Sequence, residues 1–215
     1  MSDRLAPLRG LEAEPWRYDF FQALRLIECA YPGRPRIGES HRAHEDPVRF
    51  AQEPGLAFAV SSLAAFEPGT GGAPPRLLVN LLGLLGPNGP MPLHITEYIR
   101  DRVHNSGDRA AARFLDIFHH RMLSLFYRAW ASAQPAVSLD RPDSDRFSTY
   151  VASLFGLGMP SLRDRDALPD GAKLQYAGLL ANQAHCADGL RAILADFLGL
   201  PVAIEQFVGS WPTLP

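Results

Sequence analysis

The longest stretch without glycine or proline, residues 108–134, is the feature that most constrains the fold. The rest of the 215-residue chain carries all 19 prolines and 18 glycines. Proline and glycine interrupt regular structure, so this distribution predicts one long helix. Asn105-Ser106-Gly107 is a typical helix stop just before it, and Asp108 is a suitable capping residue. Elsewhere the chain is expected to form short elements joined by shaped loops.

The long helix is apolar over an unusually wide surface. In "FLDIFHHRMLSLFYRAW" (114–130), apolar side chains cover an arc of about 180°. The members of this arc are Phe114, Leu115, Phe118, Met122, Leu125, Phe126 and Trp130. Such a width predicts burial from more than one side, either in a thick core or in an obligate protein interface.

Shorter elements precede the long helix. "PWRYDFFQALRLIECAYPG" (15–33) has apolar residues at helical spacing and ends in Pro-Gly. Alternation at Val48 and Phe50, and again at Leu56, Phe58 and Val60, predicts short strands. "RLLVNLLG" (76–83) is compatible with a buried strand or with a helix start. "PLHITEYIRDRVH" (92–104) reads as a helix.

Helical patterns dominate the second half of the chain. Three further helices are expected around 144–156, 172–183 and 187–199, and "LPVAIEQFVGSW" (200–211) alternates like a strand. The sequence therefore predicts a mainly α-helical α+β fold, with a small antiparallel β part near 48–82 and a strand near 201–208. Its two regions, 1–90 and 91–215, are expected to form one structural unit.

Composition excludes several classes of function. The formal net charge of −2 gives no basic surface for nucleic acid. No apolar run reaches the length of a membrane span, and the N-terminus lacks the order of a secretion signal. Cys29 and Cys186 lie far apart, which suits a reducing compartment. We therefore expect a cytoplasmic protein that binds no nucleic acid and does not insert into a membrane.

The segment "GLLGPNGPMPLHITE" (83–97) resembles a phosphate-binding loop at first sight. However, Pro87, Pro90 and Pro92 lack the backbone N–H groups that such a loop needs. No Lys-Ser/Thr pair follows the glycines. The segment instead predicts a tight turn at Asn88-Gly89 that leads rigidly into a helix.

A metal site is the main enzymatic alternative. Four polar residues share an arc of about 80° on the 92–104 helix, namely His94, Glu97, Asp101 and His104. Asp116 and His119 on the long helix have the carboxylate-x-x-His spacing of helical di-metal proteins. A metal-dependent helical-bundle enzyme using His94, Glu97, Asp116 and His119 is therefore the alternative function.

Helical geometry favours a structural interpretation of these groups. His119 lies within the apolar arc and Asp116 outside it, so the two need not converge. A core histidine at 119, with Asp116 and His120 paired at i,i+4, is the simpler expectation. No nucleophile elbow or cysteine–histidine pair is recognisable, so the sequence predicts no catalytic residue and no cofactor.

Taken together, "GLLGPNGPMPLHITE" and "FLDIFHHRMLSLFYRAW" resemble the signature of TssG, a baseplate subunit of the bacterial type VI secretion system. "WRYDFFQALRLIE", "DPVRFAQEPGLAF" and "LPVAIEQFVGSW" are similar to other parts of that family. One mild difference is Ile95, where the family more often has Tyr. Family members continue beyond the W-x-x-L region, so we expect this chain to be truncated at its C-terminus.

The resemblance implies a structural role and no enzyme activity. TssG-like subunits join TssF and TssE in wedges around the spike hub and dock the adaptor TssK, at the cytoplasmic side of the inner membrane. The residues that match the family motifs are assigned to shaping the subunit core and its partner contacts. They are Gly86, Pro87, Gly89, Pro90, His94, Thr96, Glu97, Asp116, His120, Arg121, Leu125, Tyr127, Arg128 and Trp130.

Overall fold

A computed structural model describes residues 6–209, except residues 43 and 70. The chain divides between Arg141 and Pro142 into two compact units, each described here by itself. The fold is α+β and predominantly helical, as the sequence predicts. The division into regions 1–90 and 91–215 stays a prediction.

The first unit places helices around a small sheet. Its helices are α1 (Ala6–Ala13), α2 (Phe20–Ala30), α3 (Leu93–Ser106), α4 (Ala110–Ala131) and α5 (Pro135–Leu139), and a 3-10 turn spans Pro15–Arg17. Its strands are β1 (Arg49–Gln52), β2 (Leu63–Glu67) and β3 (Arg76–Val79).

Local signals explain where the long helices start and stop. The Asp19 carboxylate accepts a hydrogen bond from the Phe21 N–H (2.9 Å) and caps α2. Helix α3 ends at Gly107, whose φ of +64° is the left-handed conformation that glycine adopts readily. The Asp108 carboxylate accepts a hydrogen bond from the N–H of Ala110, the first residue of α4 (2.9 Å). These signals confirm the predicted break between the two helices.

The sheet differs from the predicted antiparallel arrangement. Its strand order is β1-β3-β2, and β1 pairs with β3 in parallel while β2 pairs with β3 antiparallel. The segment 76–83, left open in the sequence, begins with strand β3. The strand predicted at 56–60 is wrong: Phe58 and Val60 are 78% and 104% exposed, and the strand forms later, where Leu63 and Phe66 face the core.

The main core lies between the sheet, α1, α2 and α4. Its buried members are Leu8, Leu11, Phe20, Ala23, Leu24, Ile27, Ile37, Val48, Phe50, Leu63, Phe66, Leu77, Val79, Leu123 and Tyr127. A smaller cluster of Leu85, Ile99 and Leu115 joins α3 and α4 to the segment before α3. Both clusters fix the face that α4 turns toward the sheet.

The second unit is helical in its described residues. It contains α6 (Arg146–Ser153), α7 (Asp170–Gln175), α8 (Ala177–Leu180) and α9 (Ala187–Leu198), with 3-10 turns at Pro142–Ser144 and Pro160–Leu162. The strand expected near 201–208 is absent from this part of the chain, because no described strand lies beside it to supply a ladder of hydrogen bonds.

Candidate functional site

The glycine–proline segment forms a tight turn before α3. Gly86 has a φ of +93°, and its carbonyl accepts a hydrogen bond from the Gly89 N–H (3.1 Å) across Pro87-Asn88. The Met91 N–H then donates to the Leu84 carbonyl (3.1 Å). A Cβ at Gly89 would lie 2.5 Å from the Leu84 oxygen, so only glycine fits this close approach.

Three elements hold this turn in place. From α3, the buried Thr96 hydroxyl accepts a hydrogen bond from the Gly86 N–H (2.9 Å). From α4, Nε2 of His119 accepts one from the Leu84 N–H (3.0 Å). From β1, the Gln52 side chain makes reciprocal bonds with the backbone N–H and C=O of Leu85 (2.9 and 2.7 Å). The turn is therefore a rigid junction between the sheet and both helices.

Helix α4 also covers the free edge of β1. The N–H groups of Arg49 and Glu53 face β3 and donate to Pro75 and Val79. Strand alternation turns those of Phe50 and Gln52 to the opposite edge. There, Nδ1 of His120 accepts from the Phe50 N–H and the Asp116 carboxylate accepts from the Gln52 N–H, both at 3.2 Å.

The carboxylate partners of the two histidines differ from the predicted ones. Asp116 lies beside His119, with Nδ1 and Oδ1 3.3 Å apart, although the arcs suggested that they need not converge. The predicted Asp116–His120 pair is wrong, because Nε2 of His120 lies 2.9 Å from Oδ2 of Asp46. Asp116 is turned toward the strand edge, where a backbone N–H needs an acceptor. His119 is buried, as expected for a core histidine.

These contacts define opposite tautomers for the neighbouring histidines. A ring nitrogen that accepts a backbone N–H carries no proton, so the other nitrogen must donate to the carboxylate. His119 is then the Nδ1–H form and His120 the Nε2–H form.

At neutral pH, long-range ¹⁵N–¹H spectra should show opposite nitrogen shifts for the two rings. The same tautomer in both rings would contradict these hydrogen bonds, and exposed His94 serves as a reference for an unconstrained ring.

Asp46 is a buried carboxylate that binds side chains from several segments, and its role was not predicted from the sequence. Its buried carboxylate accepts hydrogen bonds from Ser40 and from Arg49 Nη1 (3.1 Å), besides that from His120. Burial alone would raise the pKa of Asp46, but the His120 and Ser40 hydrogen bonds and the Arg49 charge outweigh it. The pKa of Asp46 therefore lies below its ordinary value.

A second buried polar pair joins α4 to α2. The Tyr127 hydroxyl donates to Oε2 of Glu28 (3.1 Å), while Oε1 of Glu28 accepts from the Ile37 N–H (2.7 Å). Burial raises the pKa of both Glu28 and Tyr127, and the Glu28 charge raises that of Tyr127 further. The pair ties the loop after α2 to the middle of the unit.

Removing the Tyr127 hydroxyl should destabilise the protein measurably. Tyr127→Phe leaves the buried Glu28 carboxylate with one hydrogen bond fewer, so we expect the free energy of unfolding to fall by about 2 kcal/mol. Tyr98→Phe is the control, because Tyr98 is 60% exposed. Urea denaturation at pH 7 followed by circular dichroism measures both variants. Equal midpoints for the two would show that the Tyr127–Glu28 bond contributes nothing.

Some of the remaining motif residues make contacts within the first unit, which together with the contacts above we call the frame. The others lie on the surface. The Arg128 guanidinium donates to the Gly38 carbonyl (3.0 Å), and the Trp130 ring stacks on Phe21 at 4.4 Å between centroids. His94, Glu97, Arg121 and Leu125 are exposed. Most of the apolar arc of α4 is not buried within the described residues, which contradicts the thick-core alternative for this part of the chain, while the interface alternative stays a prediction.

The metal-site alternative is not supported by this geometry. Both ring nitrogens of His119 are engaged by Leu84 and Asp116, and His94 and Glu97 lie on the exposed side of α3. Within the described ranges, no three His, Cys, Asp or Glu side chains lie close enough to hold a metal ion. The arrangement is suited to fixing the turn and the edge of β1 in place.

Comparison with known families agrees with this structural role. The family model for TssG of type VI secretion matches residues 14–215. This chain is a member of the TssG family. The match confirms the resemblance seen in the central motifs and extends it over nearly the whole chain. TssG proteins are structural components of the type VI secretion baseplate, so the chain is a baseplate component.

Other comparisons add little to the family assignment. Searches of curated proteins and of solved structures gave no significant match to this TssG chain. Among its described helices, none combines the length and apolar character that crossing a membrane requires. The family match and the geometry of the turn and α4 are therefore the two grounds for its function.

Proposed function

We propose that this chain is a wedge subunit that scaffolds TssF- and TssE-type subunits around the spike hub and docks a TssK-type adaptor. In this proposal the subunit is cytoplasmic and assembles at the cytoplasmic side of the inner membrane. The observation that carries the proposal is the TssG family match over residues 14–215. The hydrogen-bonded frame around the 84–91 turn supports it, because a scaffold must keep its partner surfaces in fixed relative positions.

The motif residues have two roles in this proposal. The first group maintains the frame through the contacts described above. It comprises Gly86, Gly89, Thr96, Asp116, His120, Tyr127, Arg128 and Trp130. Pro87 and Pro90 belong to the same turn and are assigned to this group by their position in it. The second group is exposed and is available to partner proteins: His94, Glu97, Arg121 and Leu125.

Co-purification tests the scaffolding role. The full chain is co-expressed with TssF-type and TssE-type proteins of a type VI secretion system, and the tagged chain is purified and sized. A stable complex containing the TssF-type subunit is the expected result. Elution of the folded chain alone, with TssF in the unbound fraction, would reject the proposal.

The loop at 67–75 is our proposed docking element for the adaptor. Its residues 68, 69 and 71–73 are exposed, and Gly71 and Gly72 have φ of +62° and +82°. Exposed loops on a rigid frame are common binding elements. Replacing residues 68–74 with Asn-Gly preserves Pro75, whose carbonyl accepts the Arg49 N–H. This variant should lose TssK binding and keep TssF binding; unchanged TssK binding would refute the assignment.

A further inference from the structure

The side of α4 turned away from the sheet carries an exposed apolar surface, of which Leu125 is one member. We call it the outer face of α4, and its members are 42–60% exposed: Phe114, Ile117, Phe118, Met122, Leu125 and Phe126. The opposite side of the helix is occupied by the hydrogen bonds and core contacts of the frame. Large side chains so exposed and so concentrated mark a protein-binding surface.

The shape of the outer face suits another helix. Phe114, Phe118, Met122 and Phe126 follow one another at intervals of four, which forms a single ridge along α4. The ridge extends for about 18 Å at 1.5 Å per residue. The Phe114 and Phe118 rings lie edge to face at 5.6 Å, and Phe126 contacts Phe21 at 5.6 Å. A ridge of this spacing packs into the groove of a second helix.

The charge of the outer face restricts the chemistry of its partner. Arg121 lies within this surface, is exposed, and has no hydrogen-bond or ion-pair partner among the described residues. Asp116, the acidic residue of α4, points instead toward Gln52 and His119. A partner that covers the outer face is therefore favoured if it provides a carboxylate for Arg121, since burying the guanidinium unpaired is costly.

The position of Arg121 also argues against self-association. The outer face runs from Phe114 to Phe126, so its midpoint lies next to Arg121. If two copies paired through α4 around a two-fold axis, antiparallel packing centred on that midpoint would bring two Arg121 side chains together. Like charges placed across an interface oppose binding.

We propose that the outer face of α4 binds one amphipathic helix of a different polypeptide. That helix lays apolar side chains at i, i+3, i+4 and i+7 against the ridge and places a Glu or Asp opposite Arg121. The identity of this polypeptide as a baseplate subunit rests on the proposed function. The chemistry of the contact rests on α4 alone.

Photo-crosslinking in the assembled complex tests the proposal directly. Benzoylphenylalanine is introduced at position 118 of the full chain. This variant is co-expressed with TssF-, TssE- and TssK-type proteins, and the adduct is mapped by mass spectrometry. We expect an adduct on a helix of another protein that carries an acidic residue. An adduct to a second copy, to residues 142–215 of the same chain, or no adduct in a complex that co-purifies would overturn the proposal.

A charge exchange gives a second measurement that needs no baseplate partner. Two synthetic amphipathic helices, identical except for a central Glu or Lys, are titrated against the full chain. The wild-type chain should bind the Glu peptide about tenfold more tightly, and Arg121→Glu should reverse this preference. Arg100→Glu, an exposed arginine on α3, is the matched control and should leave the preference unchanged.

The two measurements separate this proposal from the proposed function. Equal binding of the two peptides, no binding of either, or an Arg121→Glu chain that keeps the wild-type preference would overturn the proposal for α4. Failure of TssF to co-purify, with the peptide preference intact, would instead reject the proposed function and keep the helix-binding face.

Discussion

Replacing Gly89 with alanine is expected to lower the free energy of unfolding by about 3 kcal/mol, because the site leaves no space for a methyl group. A Cβ would lie 2.5 Å from the Leu84 oxygen and 2.6 Å from the Leu85 oxygen. Both atoms belong to the backbone and cannot rotate away. The turn would have to open, which strains the Leu84 and Leu85 hydrogen bonds to His119 and Gln52.

Thermal denaturation and hydrogen exchange both measure the Gly89→Ala effect. The variant should melt several degrees lower than the wild-type chain. Relative to wild type, amide exchange should increase more in residues 84–91 than in β3. Gly33→Ala is the control, since a Cβ there meets no atom within 4 Å. If the two substitutions changed the melting temperature equally, the close packing described for Gly89 would be incorrect.

Replacing Asp46 with asparagine is expected to lower the free energy of unfolding by about 2–3 kcal/mol at pH 7. The change removes the charge opposite Arg49. It also replaces one of the two acceptor oxygens with an N–H₂ group, so either the Ser40 bond at Oδ1 or the Arg49 and His120 bonds at Oδ2 are lost. Since His120 also accepts from β1, the variant should loosen the edge of the sheet. Urea denaturation measures the loss, and Glu97→Gln on the exposed side of α3 is the control.

The Asp46→Asn effect should depend on pH in a defined direction. The folded-state pKa of Asp46 lies below its ordinary value of 3.8. Its carboxylate therefore contributes fully above that value, and the contribution is lost as pH falls through the lower folded-state pKa. The stability difference between wild type and variant should stay constant from about pH 7 to 5 and shrink below about 4. A difference that grew on acidification would contradict the contacts assigned to Asp46.

Helix boundaries could be predicted from the sequence because their signals are local. Asn105-Ser106-Gly107 and Asp108 define the end of α3 and the start of α4 through backbone conformation and capping alone. The absence of a strand from the described residues near 201–208 and the parallel pairing of β1 could not be predicted in this way. A strand exists only with a neighbour, and alternation along one segment does not identify that neighbour.

The buried side of α4 could not be predicted from its apolar arc. That arc suggested burial of Phe118 and Leu125 in a core or in a protein interface. Within the described residues, α4 instead turns Asp116, His119 and His120 toward the sheet. The surface that α4 covers includes a strand edge and a turn, which present backbone N–H groups next to the apolar core that Leu123 and Tyr127 enter. Hydrogen-bond acceptors were therefore part of the signal for this side of α4, and they become recognisable only when β1 is known to lie beside α4.

The contact between α4 and β1 affects whether the unassembled subunit aggregates through the edge of its sheet. Open sheet edges recruit strands from other molecules and start aggregation. In this protein the N–H groups of Phe50 and Gln52 are already bound by side chains of α4, so that edge of β1 cannot act as a template for a foreign strand. A freshly made subunit could thus accumulate before assembly without polymerising through β1, and Asp116→Ala combined with His120→Ala would remove this protection.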